Sequence, residues 1–306
     1  MWQRGIVFFL ILIGVFGCGG RNSNQLRVVT TVPVLADWVR QVGGERVEVH
    51  SLLQGYEDPH NFEPNPRDAK AVELAKMVVR VGLGLDEWLN GLIASAGNPK
   101  LKVVTLAEGV DIIKESEEEY HHGAHHEGNP HIWLDPEVAK SGVQRITAVL
   151  TELDPKGRGF YEQRSKNYLR ELDSLTGVLR ELVKGVKNRK FVGMHSSWPY
   201  FCRAFGLEMV ATVEPLPGQE PSAKDMAELV KRMRSDSVRV IVIEPQQNPD
   251  LAATLAKETG ARVVRLCQFN GVLPETGSYL QLLDYNVRTL VAALNPNPHR
   301  SGQESE

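Results

Sequence analysis

Cysteine is scarce in this chain of 306 residues, with only Cys18, Cys202 and Cys267. Once Cys18 is set apart, one disulfide between the other two is the most that can form, so a disulfide scaffold is excluded and a packed core must hold the fold. A surplus of one charge is also missing. Thirty-five Lys and Arg face 38 Asp and Glu, for a net charge of −3 with both signs mixed along the chain. That leaves no basic footprint for nucleic acid. Long apolar runs are absent beyond the first residues. Gly5 to Phe16 form the one such run, behind Arg4, and it has the length and flank of a signal peptide, being too short for a comfortable bilayer span.

What is present begins at the end of that run. "VFGC" places small Gly17 before Cys18 and Val15 two positions before that glycine. This resembles a lipobox, in which Cys18 is lipidated and becomes the mature N-terminus. Residues 1–17 then read as a cleaved signal and 18–25 as a polar, flexible linker. The expected protein is exported and lipid-anchored, facing the periplasm or the cell exterior.

From Leu26 onward, β-branched runs alternate with helical segments. "LRVVTTV", "RVEVHSLL", "MVVRVG" and "LKVVTL" make one series, and "KFVGM", "LEMVATV", "VRVIVI" and "ARVVRL" make a second. Strands alternating with helices predict parallel sheets of βαβ units, and two series predict two α/β lobes, over 26–153 and 188–306. Between them, Tyr161, Tyr168, Leu172, Leu175, Leu179, Leu182 and Val186 recur at helical spacing. They predict a long linking helix over 154–187, with Asp154 and Pro155 as N-cap and first-turn proline. Thirty helical residues reach roughly 45 Å, enough to tie both lobes rigidly.

Residues 108–129 break the alternation. Their glutamate run and His121, His122, His125 and His126 cannot bury a core, which predicts a mobile surface loop. Three other histidines, His60, His131 and His195, each sit in a loop or turn that follows a strand. Open parallel sheets bind ligands at the carboxyl ends of their strands, so the three can converge from two lobes on one cleft. Neutral imidazole is a good zinc ligand, and three nitrogens with one further donor complete a tetrahedron.

The residues around them carry a resemblance. "DPHNFEP", "NPHIWLDP", "EPSA" at Glu220 to Ala223 and "VIEPQ" at Val242 to Gln246 resemble the metal-binding lipoproteins of bacterial zinc and manganese ABC importers, the cluster A-I solute-binding proteins of zinc-uptake type. The resemblance runs from about Leu26 to Leu294. It implies two α/β lobes joined by a rigid helix, one metal buried between them, and delivery of that metal to a membrane permease and its ATPase by a monomeric binding protein. By the same resemblance His60 and His131 match the ligands of the first lobe and His195 the first ligand of the second. Histidine at this last position, where manganese-type members have glutamate, favours zinc over manganese. The loop histidines His121, His122, His125 and His126 match a His- and acid-rich loop, read as a weak outer metal site.

One departure stands out. Where relatives read "LDPLG", with the aspartate as fourth ligand, this chain reads "LCQFNG" and puts Cys267 in the aspartate's place. Glu244 directly follows "VRVIVI" and is the preferred fourth donor, with Cys267 the alternative and water the third option. Two other functional classes remain open. A zinc hydrolase also uses three histidines and an open position, and Glu63 and Asp135 lie shortly beyond His60 and His131, but no H-E-x-x-H motif is present. A zinc-dependent adhesion or storage protein is the other. Trp133, Trp198, Tyr200 and Phe201 are expected to shield the site and pack the lobe interface. The chain is read as no enzyme.

Overall fold

A computed structural model describes residues 25–114, 128–214 and 221–295. The lipidation candidate Cys18 and the loop histidines His121, His122, His125 and His126 lie outside them.

Four short strands form the first sheet: β1 (Leu26–Thr30), β2 (Val47–Ser51), β3 (Met77–Arg80) and β4 (Lys102–Thr105). Helices α1 (Pro33–Gly43), α2 (Pro66–Leu74) and α3 (Leu89–Ala96) alternate with them. Two long helices follow, α4 (Pro136–Leu153) and α5 (Arg158–Lys184). The second sheet comprises β5 (Lys190–Gly193), β6 (Glu208–Thr212), β7 (Val240–Ile243) and β8 (Arg262–Arg265). Its helices are α6 (Pro199–Phe205), α7 (Ala223–Ser235) and α8 (Asp250–Thr259), and α9 (Tyr279–Leu294) comes last. Every strand pair is parallel, and the two sheets share one topology, β2-β1-β3-β4 and β6-β5-β7-β8. The two alternating series of the sequence are two α/β lobes. No helix of the described residues is long and apolar enough to cross a membrane.

Local sequence explains the helix starts. Asn65 caps α2, its side chain accepting from the Arg67 amide at 2.8 Å while Asp68 accepts from the Asn65 amide at 2.9 Å, and Pro66 stands in the first turn. Asp135 caps α4 in the same way, accepting from the Glu137 amide at 2.9 Å. The long helix α5 has 27 residues, so it is about 40 Å long. It starts later than the sequence suggests. Asp154 and Pro155 open a separate 3₁₀ turn, Pro155–Gly157, because the Asp154 carboxylate is held by Arg46 and by the Tyr161 hydroxyl at 2.8 Å. The buried face of α5 carries Tyr161, Ser165, Tyr168, Leu172, Thr176, Leu179 and Val183, whereas Leu175 and Leu182 are only partly buried at its margin.

The largest apolar core belongs to neither lobe alone. It joins Val28, Trp38 and Val79 to Tyr168 and Leu172 of α5 and to Phe191, Val242, Tyr279 and Leu290. Trp38 meets Tyr279 edge to face at 5.1 Å, and the neighbouring Asp37 carboxylate accepts from the Tyr279 amide at the start of α9. Smaller clusters seal the outer side of each sheet, around Val78 and Leu53 in the first lobe and Ile241 and Leu255 in the second. The carboxyl ends of the strands are therefore fixed against each other by the shared core.

Candidate metal centre

His60 sits in the loop after β2. Asp58 accepts from the His60 amide at 2.9 Å, and Pro59 offers its carbonyl to the Trp88 indole at 3.1 Å. Phe62 packs on Trp88 with ring centres 4.8 Å apart, which anchors the loop to its own lobe. On its other flank the Tyr56 hydroxyl donates across to the Val272 carbonyl at 3.1 Å. One loop thus touches both lobes.

His131 is 2% exposed and begins the turn Ile132–Leu134 that leads into α4. Its segment is stitched to the second lobe. The Trp133 indole donates to the Gln268 carbonyl at 2.8 Å, and the Tyr279 hydroxyl donates to the Trp133 carbonyl at 2.7 Å. Arg203 of α6 pairs with Asp135 at 3.0 Å. Trp133 stacks on Phe269 at 5.3 Å. Trp133, Trp198, Tyr200 and Phe201 are all fully buried. Asp135, considered as a general base, is the helix cap and salt-bridge partner just described.

His195 lies just past β5. Its Nδ1 is 2.7 Å from the Ser197 hydroxyl oxygen. That hydroxyl donates to Glu244 Oε1 at 3.0 Å and accepts from the Gln268 amide at 2.8 Å, while the Trp198 indole donates to the same carboxylate oxygen at 3.0 Å. Burial lowers the pKa of His195 to about 4, helped by the neighbouring His60, so the ring is neutral. Burial raises that of Glu244 to about 7 against the pull of its three donors.

The structure brings His60, His131 and His195 together. Their ring centres are 5.1 to 6.4 Å apart, and one nitrogen from each lies within 4.8 Å of the others. Among the described residues this is the one group of three or more such side chains close enough to hold a metal ion. Beside it a cavity of about 250 Å³ is lined by Asp58, His60, His195, Glu214, Gln247 and Gln268, among others.

Glu244 and Cys267 are not in that group. Glu244 stands behind His195, with Oε1 3.8 Å from Nδ1. Cys267 is buried, its amide donating to Asn286 at 2.9 Å and its carbonyl accepting from the same side chain at 2.7 Å. Burial pushes its thiol up to about 12, and that of Cys202 likewise, so neither is a thiolate at neutral pH. Both cysteines are free.

Sequence reasoning missed Ser197, Gln268 and Asn129, the polar residues packed around the histidines. Ser197 had a faint signal in its place two residues after His195. Gln268 and Asn129 had none, since each reads as an ordinary loop residue.

Two α/β lobes of one topology, with imidazoles from the strand ends of both meeting in the cleft between, define a two-lobed metal-binding protein of the solute-binding type. The chain belongs to the ZnuA family, described as zinc-uptake complex component A, periplasmic, whose sequence model matches residues 28–293. The high-affinity zinc uptake system protein ZnuA of Bacillus subtilis (strain 168) is 29% identical over 311 residues, covering 96% of this chain and 98% of that protein. The manganese ABC transporter substrate-binding lipoprotein PsaA of Streptococcus anginosus is 25% identical, covering 95% and 97%. Among solved structures, a crystal structure of ZnuA superposes with a TM-score of 0.78 at 27% identity, covering 89% of this chain and all of the other.

Proposed function

We propose that this chain is the extracytoplasmic component of an ABC-type importer that captures zinc between its lobes and hands it to a membrane permease driven by an ATPase. The observation that carries the reading is the meeting of three imidazole nitrogens from two lobes within 4.8 Å. Three nitrogen donors with no carboxylate among them suit zinc better than manganese, which prefers oxygen. Zinc is cargo here, held by His60, His131 and His195. Water takes the fourth position in this reading, because Glu244 is turned to Ser197 and Trp198 and neither Glu244 nor Cys267 joins the cluster of three imidazoles. The protein acts as a monomer anchored through lipidated Cys18, and His121, His122, His125 and His126 form a weak outer site.

A hydrolase would need a base poised over metal-bound water. Asp135 is taken up by Arg203 and the Glu137 amide, which speaks against that role. Calorimetry on the lipid-free mature chain tests the proposal. One tight zinc event is expected, greatly weakened in His131→Ala, and unchanged tight binding in that variant would sink the assignment. Cys18→Ser should release the full-length protein from the membrane fraction.

A further inference from the structure

We propose that Asn129 is a positioning residue that places the proton of His131 on Nδ1, leaves the Nε2 lone pair for the metal, and holds the His195 turn of the opposite lobe at a fixed distance. The proposal rests on the zinc-site reading above and adds a residue to it.

Asn129 is 2% exposed, although the acidic stretch it closes reads as surface. Its backbone amide donates to the Ile113 carbonyl at 2.9 Å, which pins it in place. Its side-chain amide has one self-consistent orientation. Oδ1 accepts from the His131 backbone N–H at 3.1 Å, and Nδ2 donates to the Ser196 carbonyl at 2.6 Å. Flipping the amide would set N–H against N–H at His131 and oxygen against oxygen at Ser196, losing both bonds inside a buried site.

With the amide fixed this way, Oδ1 also lies 3.1 Å from His131 Nδ1. An amide oxygen can only accept, so Nδ1 must carry the hydrogen in the neutral ring. The lone pair then falls on Nε2. Metal-binding histidines are commonly fixed by such a partner on the other nitrogen, and loss of the partner costs about 10–100-fold in affinity. Here the partner has a second task. Ser196 stands between His195 and Ser197, so the same amide that orients the first-lobe imidazole also grips the chain carrying the second-lobe one. This one side chain links the two segments whose His131 and His195 rings lie 5.1 Å apart.

Long-range ¹⁵N–¹H spectra of the metal-free, ¹⁵N-labelled mature protein at about pH 8 read the tautomer directly, with the His131 signals identified by their loss in His131→Gln. Wild type is expected to show His131 protonated at Nδ1. Asn129→Asp keeps an acceptor toward Nδ1 and should retain that tautomer, while it sets a carboxylate oxygen against the Ser196 carbonyl and so loosens the tie to the second lobe. Asn129→Ala should populate both tautomers and bind zinc about 10–100-fold more weakly in competition with a chelator of known affinity, with its circular dichroism unchanged. Protonation at Nε2 in wild type would overturn the proposal even if Asn129→Ala failed to fold. So would an Asn129→Ala variant that keeps the Nδ1–H tautomer and zinc affinity within about twofold, the opposite of the expected loss. Because the tautomer is measured without metal, it stands apart from the zinc-site reading, which His131→Ala tests by itself.

Discussion

Each lobe buries one carboxylate beyond its third strand, and the two are treated in opposite ways. Asp86, past β3, is fully buried and accepts from Arg80 at 3.1 Å, from the Thr31 hydroxyl at 2.8 Å and from the amides of Val81 and Gly82 at 2.7 and 3.0 Å. Both of its oxygens are satisfied and a guanidinium balances its charge. Glu244, past β7, is equally buried, but Ser197, Trp198 and Gln268 all donate to Oε1. Oε2 has no hydrogen-bond partner, and no Lys or Arg pairs with Glu244 among the described residues. The region beyond the third strand thus holds a carboxylate paired with a guanidinium in one lobe and, in the other, a carboxyl whose pKa burial raises to about 7. A paired carboxylate fastens a strand end, whereas one left without a cation can answer to a charge arriving nearby.

The sharpest way to break this comparison is to remove each acid in turn. Asp86→Ala leaves Arg80 without its partner and should cost about 3–5 kcal/mol of stability by denaturant unfolding, while zinc affinity stays close to wild type. A stability loss below about 1 kcal/mol, the range of exposed ion pairs, would remove Asp86 from its structural role.

The next effect is a pH dependence with a definite sign. Glu244 titrates near 7 when folded and 4.5 otherwise. Between those values the native state holds the extra proton, so stability falls as pH rises through the window. His195 has the opposite shift, from 6.5 to about 4. There the unfolded state holds the extra proton, so stability rises with pH until about 6.5. The two slopes oppose each other where they overlap. Glu244→Gln removes one of them, and its stability relative to wild type should climb by roughly 3 kcal/mol between pH 4.5 and 7. A pH-independent difference between the two proteins would show that Glu244 ionises normally.

Glu244→Gln should also weaken zinc binding by about tenfold, by removing the carboxylate charge 3.8 Å from His195 while its amide oxygen still accepts from Ser197. An unchanged affinity would reduce Glu244 to a packing residue. The smallest effect is expected at Tyr56→Phe, which loses one partly exposed hydrogen bond across the lobes, worth about 1 kcal/mol or less. Zinc dissociation, followed by stopped flow with a chelator, should quicken modestly as the His60 loop loosens.

Much of this was readable in the sequence, for physical reasons. Runs such as "VRVIVI" are buried on both faces of a parallel strand, and their spacing from helical stretches gives the two lobes directly. His60, His131 and His195 could be singled out because each follows a strand and because their flanking motifs resemble those of metal-importer lipoproteins, and the fold brings their side chains together. The handling of Glu244 was not readable. Its place after β7 is evident, but Ser197 with Trp198, and Gln268, reach it from two other points in the chain, and only the packed fold turns its carboxylate behind His195. Asp154 and Pro155 look like the opening of α5, yet the carboxylate is drawn away by Arg46, which lies 108 residues earlier.

The apolar core passes continuously from Val28 of the first lobe through Tyr168 of α5 to Leu290 of α9. Heating should therefore melt both halves in one cooperative transition, seen as a single peak in calorimetry. The same continuity governs how long an ion stays. Prying the halves apart would expose Trp38 and Tyr279 to water, so exchange of a bound ion is expected to run through brief local openings of the His60 loop, with a residence time that responds to changes in that loop.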